Sequence, residues 1–211
     1  MSARITAVNL LDIEEFLETR PDKARKAARL SINDTTARQA MPMFRGAMRQ
    51  EVNFPTGYLE DKDRFAQTKK ATDTDLTAVV TARHRPTSLA RFAVGGTNFE
   101  GARRRGAVNV RVNKGGGAQR IGGAFFVKLR RGRDTSDGFN VGLAIRLKPG
   151  QTLRGRKKGG SGVMLAPDLY LLQGPSVDQV FRDVSVSESP KVADALVKEF
   201  TRQWIRLIGE K

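Results

Sequence analysis

Few side chains of this sequence are of the types that carry out acid–base or metal chemistry. The single histidine, His84, stands between two arginines in ARHRP with no evident carboxylate partner, and a lone histidine is more often a surface residue than a general base. Asp134 and Asp137 in RDTSDG could share a cation, but aspartate and serine beside glycine are first of all turn-forming residues. The chain has no cysteine, and hence no thiolate nucleophile or sulfur-ligated zinc site. We predict that the protein is not an enzyme and holds no cofactor or metal.

Glycine-rich stretches are the second place where chemistry could reside, because such loops can hold phosphates. The clearest are KGGGAQRIGG (114–123) and GRKKGGSG (155–162). Neither fits the spacing of the dinucleotide fingerprint or of the phosphate-binding loop that ends in lysine and a hydroxyl residue, and neither lies in a clean strand–glycine–helix unit. The sequence therefore predicts no nucleotide site.

The strongest signal is the placement of positive charge. The 211 residues carry a formal net charge of +16, and residues 61–172 hold 23 basic and 8 acidic residues, whereas the two ends are nearly balanced. Such a field attracts polyanions or acidic protein surfaces, and salt should weaken that attraction. The simpler alternative is a solvated face that only aids solubility. We place it second because residues 101–158 hold 16 basic and only 2 acidic residues.

Much of this charge lies in loops rich in arginine and glycine. They are GARRRG (101–106), RRGRDTSDG (130–138) and PGQTLRGRKKGGSG (149–162), and they contain few large apolar residues that could anchor them. Ordering backbone costs about 1–2 kcal/mol per residue, so we expect these loops to become ordered only against a partner. The residues predicted to face a protein partner or DNA are Arg103, Arg104, Arg105, Arg130, Arg131, Arg133, Arg154, Arg156, Lys157 and Lys158.

Alternation of apolar and polar residues predicts the strands between these loops. In VNVRVN (108–113), three valines share one face and Asn109, Arg111 and Asn113 share the other. The segments FNVGLAIRLK (139–148) and AFFVKL (124–129) alternate in the same way, and LTAVVTAR (76–83) does so more weakly. One apolar and one polar face indicate an antiparallel sheet that is covered on one side.

Helical periodicity in the N-terminal third predicts part of that cover. LDIEEFLETR (11–20) is a short acidic helix candidate, and a second helix is predicted from Asp22 as N-cap. Pro42 and Gly46 should kink or split this second helix. Its small buried residues at helical spacing are Ala24, Ala28, Ile32 and Ala40.

The C-terminal segment predicts two further helices. Ser176 and Gln179 have the spacing of a capping box for a first helix that ends near residue 184. Ser189 and Pro190 predict the N-cap and first residue of a separate second helix. The apolar stripe of that second helix, with the single tryptophan read as a core residue, is Val192, Leu196, Phe200, Trp204 and Ile208.

Together these segments predict an α+β fold, an antiparallel β-sheet covered by N-terminal and C-terminal helices, with long basic Gly/Arg-rich loops. The predicted parts are an N-terminal helical segment (1–60), a basic β-rich core (61–172) and C-terminal helices (173–211), forming one structural domain overall. No stretch approaches the roughly 20 apolar residues that span a bilayer, and the first residues lack a signal-peptide pattern. We therefore expect a soluble protein without membrane contact.

The order of these elements resembles that of a known protein family. KAARLSINDTTARQA (26–40) opens the helical part, VNVRVNKGGGAQRIGGAFFVKL (108–129) pairs a valine strand with a glycine-led strand, and LYLLQGPSVDQVF (169–181) leads into the closing helix. This arrangement resembles the prophage minor tail protein Z family, the tail completion proteins of long non-contractile phage tails. The resemblance extends over residues 20–211 and is most specific in GGAFFVKL and LYLLQGPSVDQVF, whereas the arginine-rich segment 149–162 departs from the family pattern.

The resemblance implies a virion structural protein at the head-proximal end of the tail, assembled in the host cytoplasm, that completes the tail for head–tail joining. It implies a homo-oligomeric ring, in which six copies, a hexamer, would match the usual symmetry of such tails. Its neighbours would be the tail terminator, the tail tube and the head–tail connector, and it would have no catalytic residues. The basic loops would then meet acidic neighbours or the DNA that passes through the tail channel, and the sequence does not choose between these.

Nucleic-acid binding without sequence preference is the main alternative. The basic loops could neutralise phosphates, but they contain almost no aromatic residues on which bases could stack. No helix-turn-helix, zinc-finger or RNA-recognition motif is present, so any contact should be to the nucleic-acid backbone. A metal-dependent nuclease would need several convergent acidic ligands, which the basic middle of the chain does not supply.

Overall fold

The computed structural model describes residues 2–5, 21–96, 106–129, 140–148, 153 and 162–209. Within them the protein is α+β, and all the strand pairs are antiparallel. The predicted class, an antiparallel β structure accompanied by N-terminal and C-terminal helices, is thereby confirmed. The helix predicted at 11–20 and nearly all of the arginine-rich loops lie outside the described residues.

The chain divides into two compact units, each built from separate stretches of sequence. We call the first the helical unit; it comprises Met1–Met48, Leu59–Arg83 and Phe181–Lys211. We call the second the strand unit; it comprises Arg49–Tyr58 and His84–Val180.

The N-terminal helices lie between residues 21 and 51. Helix α1 (Pro21–Thr35) and helix α2 (Met41–Glu51) are joined by a π-helical segment, Thr36–Ala40, in which the Met41 amide donates to the Thr36 carbonyl. Pro21 occupies the first helical position, where its missing N–H removes no hydrogen bond. The predicted small-residue stripe is buried as expected and comprises Ala24, Ala28, Ile32 and Ala40.

The helix that was predicted to kink or split at Pro42 and Gly46 is divided by a π-helical segment just before Pro42, and nothing interrupts it at Gly46. Both residues lie inside α2, and the only irregularity is the π segment immediately before Pro42. A wider π turn changes which amides and carbonyls pair, so the helix passes a residue that has no N–H without ending. Gly46 destabilises the helix by about 1 kcal/mol relative to alanine. Burial of the apolar side chains of Phe44 and Met48 beside it stabilises the helix by more than that.

The C-terminal helix α3 (Val177–Gly209) begins with the predicted capping box. The Ser176 amide donates to Gln179 Oε1 at 3.0 Å, and the Gln179 amide donates to Ser176 Oγ at 3.1 Å. The first turns of α3 bury Val177, Val180, Phe181 and Val184.

The predicted start of a separate helix at Ser189 and Pro190 is wrong, because Pro190 lies inside the continuous α3. Proline removes one amide donor, and the carbonyl that loses it belongs to Val186. Val186 is 79% exposed, so water can bind that carbonyl. The hydroxyls of Ser185 and Ser189 donate to carbonyls three and four residues earlier, a bonding pattern that accompanies bends in helices.

The second half of α3 buries a different face from the predicted one. Val192 is buried as predicted, but Trp204 is only half-buried and Ile208 is 42% exposed. A strict four-residue spacing drifts about 40° per step around a helix of 3.6 residues per turn, so Ile208 points almost opposite to Val192. The buried positions after Val192 are Ala195, Gln203 and Leu207.

The helical unit contains a three-stranded sheet in the order β1–β3–β2, formed by β1 (Ser2–Ile5), β2 (Phe65–Lys69) and β3 (Ala78–Ala82). Ala78 of β3 packs with Ile32 of α1 and Ala71, and Leu196 of α3 packs against this cluster.

The strand unit is built on a curved antiparallel sheet and a two-stranded ribbon. In the sheet, β10 pairs with β4, β8 and β9, and β8 pairs with β7, which gives the order β4–β10–β8–β7 with β9 beside β10. In the ribbon, β5 pairs with β6. The strands are β4 (Pro86–Ser88), β5 (Ala107–Val110), β6 (Gln119–Gly122), β7 (Ala124–Leu129), β8 (Asn140–Arg146), β9 (Gly162–Ala166) and β10 (Leu169–Ser176).

The four alternating segments of the sequence are thus distributed over three antiparallel sheets. Periodicity reports which face of a strand is buried, but it carries no information about the neighbouring strand. In β8 the consecutive residues Gly142, Leu143 and Ala144 are all buried, so both faces are covered there. The alternation in residues 139–148 also predicted a polar face, and its residues Arg146 and Lys148 are exposed.

Candidate interaction surfaces

The ten basic residues that the sequence singled out lie outside the described part of the chain. They are Arg103, Arg104, Arg105, Arg130, Arg131, Arg133, Arg154, Arg156, Lys157 and Lys158. The structure therefore brings none of them together, and their role stays a prediction. Two other surfaces emerge from the described residues.

The first surface is the β5–β6 ribbon, which backbone hydrogen bonds fix on both sides of β5. On one side β6 pairs with β5 from Ala107 opposite Gly122 to Val110 opposite Gln119. On the other side the Arg111 amide donates to the Phe92 carbonyl at 2.8 Å, and the Val94 amide donates to the Asn109 carbonyl at 2.8 Å.

The chain just beyond β5 is fixed in the same way. The Asn53 amide donates to the Val112 carbonyl at 2.8 Å, and the Lys114 amide donates to the Glu51 carbonyl at 3.0 Å. The Asn53 side chain also donates to the carbonyls of Arg111 and Asn113, both at 3.3 Å. The whole stretch 107–114 is therefore held at defined positions by its backbone.

The two faces of this ribbon differ in character, as the sequence predicted. Val110 is buried, and Val108, Val112 and Ile121 are half-buried. Alternate residues point to opposite faces of a strand, so the other face carries the residues between them. That face carries Asn109, Arg111, Asn113 and Arg120, which are all exposed, with Lys114 exposed at its end.

The exposed face of the ribbon is cationic and has no acidic counterpart. No aspartate or glutamate occurs between Gly101 and Arg133 in the sequence. Arg111, Lys114 and Arg120 have no carboxylate partner among the described residues. Sequence reasoning identified the alternation but not this site, although the arginine and asparagine residues at alternate positions were a usable signal.

The second surface is strand β9, which is exposed along its whole length. Val163, Met164 and Leu165 are 47%, 64% and 43% exposed. Consecutive strand residues point to opposite faces, so apolar side chains are exposed on both faces. β9 pairs with β10 along one edge, and its other edge has no strand partner among the described residues. Apolar strand edges of this kind are sites where another chain can add a strand.

His84 has the carboxylate partner that the sequence did not reveal. Its Nδ1 lies 3.1 Å from Oδ2 of Asp178, whose side chain is 3% exposed. Asp178 lies in the first turn of α3, where the positive end of the helix dipole stabilises a buried carboxylate. The His84 side chain is 75% exposed, and its ring has no further hydrogen-bond partner among the described residues.

A histidine–carboxylate pair positions an imidazole, but nucleophilic catalysis also needs a hydroxyl or thiol within hydrogen-bond reach. The described residues supply none to His84. They also contain no group of three or more acidic or histidine side chains placed to hold a metal ion. None of the helices in this part of the chain has the length and apolar character needed to span a bilayer.

Comparisons with protein-family models, with curated proteins and with solved structures find no match to this chain.

Proposed function

We propose that this protein is a virion structural protein, a tail completion or neck component at the head-proximal end of a phage tail. In this proposal it forms a homo-oligomeric ring that enables head–tail joining, and its neighbours are the tail terminator, the tail tube and the head–tail connector. The order of the sequence segments 26–40, 108–129 and 169–181, which resembles that of tail completion proteins, supports the proposal. No catalytic step is part of it.

The single observation that carries the assembly role is the exposed apolar strand β9. Monomeric soluble proteins protect strand edges with charges, prolines or covering loops, because an open apolar edge recruits other chains. Residues 163–165 of β9 bear no charge, and their side chains are exposed on both faces. An assembly protein needs such a surface, whereas a protein that acts alone does not.

The strand order supports contacts of the type that close rings. A ring requires two different surfaces on each copy, one for each neighbour. The described sheet offers β9 beside β10 on one side and β7 as the last strand on the other. In the proposed ring, the β9 edge of one copy pairs with the β7 edge of the next.

The experiment compares two variants in a tail-completion assay. Met164→Lys places a charge on the β9 edge, and Val186→Lys places the same charge at a more exposed apolar position on α3. Tails assembled without this protein are supplied with each purified variant and scored for joining to filled heads. We expect Met164→Lys to abolish joining and Val186→Lys to support it at the wild-type level. Wild-type joining with Met164→Lys, at unchanged thermal stability, would contradict the proposal.

A sequence-independent nucleic-acid-binding protein is the second candidate. The observation that favours it is the exposed cationic face of the β5–β6 ribbon, which has no carboxylate partner among the described residues. The two functions are compatible, because DNA passes the head-proximal end of a tail. The tail-completion proposal is preferred because cationic character alone does not account for the apolar strand β9.

A further inference from the structure

We propose that the polar face of the β5–β6 ribbon is a preformed binding site for the phosphate backbone of a nucleic acid. The site comprises Asn109, Arg111, Asn113, Lys114 and Arg120, all of which are exposed. The assignment does not depend on the tail-completion proposal, since it rests on the strand unit alone.

The two arginines lie close together on the exposed face, and no carboxylate among the described residues pairs with either of them. Asn109 stands opposite Arg120, and Arg111 directly follows β5, so its position is diagonal to Arg120 on the exposed face. Diagonal neighbours on a sheet lie about 7–8 Å apart, within reach of long side chains, and like charges at such positions repel. No described carboxylate offsets this repulsion. A bound polyanion would offset it.

The dimensions of the face suit an extended polyanion. Asn109, Arg111 and Asn113 succeed one another at about 6.6 Å intervals, since a strand rises about 3.3 Å per residue. The face therefore extends about 13 Å along the extended stretch from Asn109, in β5, to Asn113, beyond its end, and presents a donor at each step.

The chemistry of the face suits the phosphates of a nucleic acid. Arginine presents a planar fork of donors that matches a phosphate as well as a carboxylate, and asparagine donates to phosphate oxygens without adding charge. Beyond Lys114, Gly115 and Gly117 have open space where a Cβ would lie, so the backbone there can closely approach a ligand. Because hydrogen bonds already fix the backbone of the stretch 107–114, binding costs little backbone conformational entropy there.

The test measures binding of the full chain to a short fluorescein-labelled DNA duplex by fluorescence anisotropy over a series of salt concentrations. The variant Arg111→Ala/Arg120→Ala is compared with Lys26→Ala/Lys198→Ala, which removes the same charge from exposed positions on α1 and α3. Each lost phosphate contact makes the negative slope of log K against log salt shallower by about 0.9 for duplex DNA. We expect the ribbon variant to reduce the magnitude of the slope by about 2 and the control to leave it unchanged.

A second variant separates a nucleic-acid site from a general cationic patch. Asn109→Ala/Asn113→Ala removes hydrogen-bond donors but no charge, so it should weaken duplex binding at every salt concentration with the slope unchanged. Its binding to poly-glutamate should equal that of the wild type. Equal slopes for the ribbon variant and its control would overturn the proposal, and so would an asparagine variant that binds duplex as the wild type does. Neither result would bear on the joining assay, which tests β9.

Discussion

Replacing Phe181 with leucine tests how the C-terminal helix is held in the helical unit. Phe181 is 2% exposed, and its ring lies 5.1 Å from that of Phe44 on α2 and 5.0 Å from that of Phe65 on β2, both in edge-to-face geometry. Each such aromatic pair contributes about 0.5–1.5 kcal/mol beyond its buried area, so losing both costs about 1–3 kcal/mol. Leucine is chosen because it keeps most of the buried apolar surface. Alanine would lower the free energy of unfolding by about 3–5 kcal/mol, which is a large part of a typical domain's stability.

Urea unfolding followed by far-UV circular dichroism measures this change, with a constant m-value showing that the folded state is retained. Phe200→Leu is the matched control, because Phe200 is half-buried and stacks only on Trp204 among the described residues, with 6.4 Å between the ring centroids. We expect its cost to stay below about 1 kcal/mol. A Phe181→Leu variant no less stable than Phe200→Leu would refute the view that these two aromatic contacts fix α3.

Two further predictions concern close packing and acid sensitivity. A Cβ on Gly174 would lie 2.9 Å from Cε2 of the buried Phe92, so Gly174→Ala should cost about 1–3 kcal/mol of unfolding free energy. The added Cβ of Gly46→Ala meets nothing within 4 Å inside α2, so this variant should gain up to about 1 kcal/mol of unfolding free energy in the same urea unfolding assay; stabilisation at both positions would contradict this packing. The hydrogen bond from Arg202, with a further one from Gln203, holds the pKa of Glu199 below its ordinary value of 4.5. The charged form is therefore favoured by folding, and its contribution is present above pH 4.5 and lost as pH falls through the lowered pKa. Glu199→Gln should thus be less stable than wild type near neutral pH and equal to it in strong acid; a stability difference that grows on acidification would contradict this.

Local sequence rules predicted much of the secondary structure because they report interactions within one element. The capping box of Ser176 and Gln179 forms as the spacing indicated, and the valines of 108–113 lie on the less exposed face of the ribbon. The buried alanine stripe of α1 likewise follows from helical periodicity. Each of these features depends on residues within a few positions of one another.

The remaining differences have two causes: local features of the helices accommodate proline, and contacts distant in sequence place other side chains. Pro42 and Pro190 both lie inside helices, because a π turn and exposed carbonyl positions accommodate them. Gln203 takes a buried position that apolar periodicity did not indicate, since its Nε2 donates to Asp34 at 3.1 Å and to Glu199 at 2.8 Å. Sequence patterns also could not reveal Asp178 as the partner of His84, because the two residues are 94 positions apart in the chain. The ribbon site was visible as alternating arginine and asparagine, but its fixed backbone required the structure.

Amide hydrogen exchange of β9 tests the central claim most directly, that this strand edge is where a further protein subunit adds. In the isolated chain, the alternate amides of Gly162–Ala166 that do not bond to β10 should exchange rapidly, because the described residues offer them no strand partner. In completed tails the same amides should be strongly protected, while those of the β5–β6 ribbon change only if DNA is present. Equal exchange rates of the β9 amides in the isolated chain and in completed tails would contradict the account.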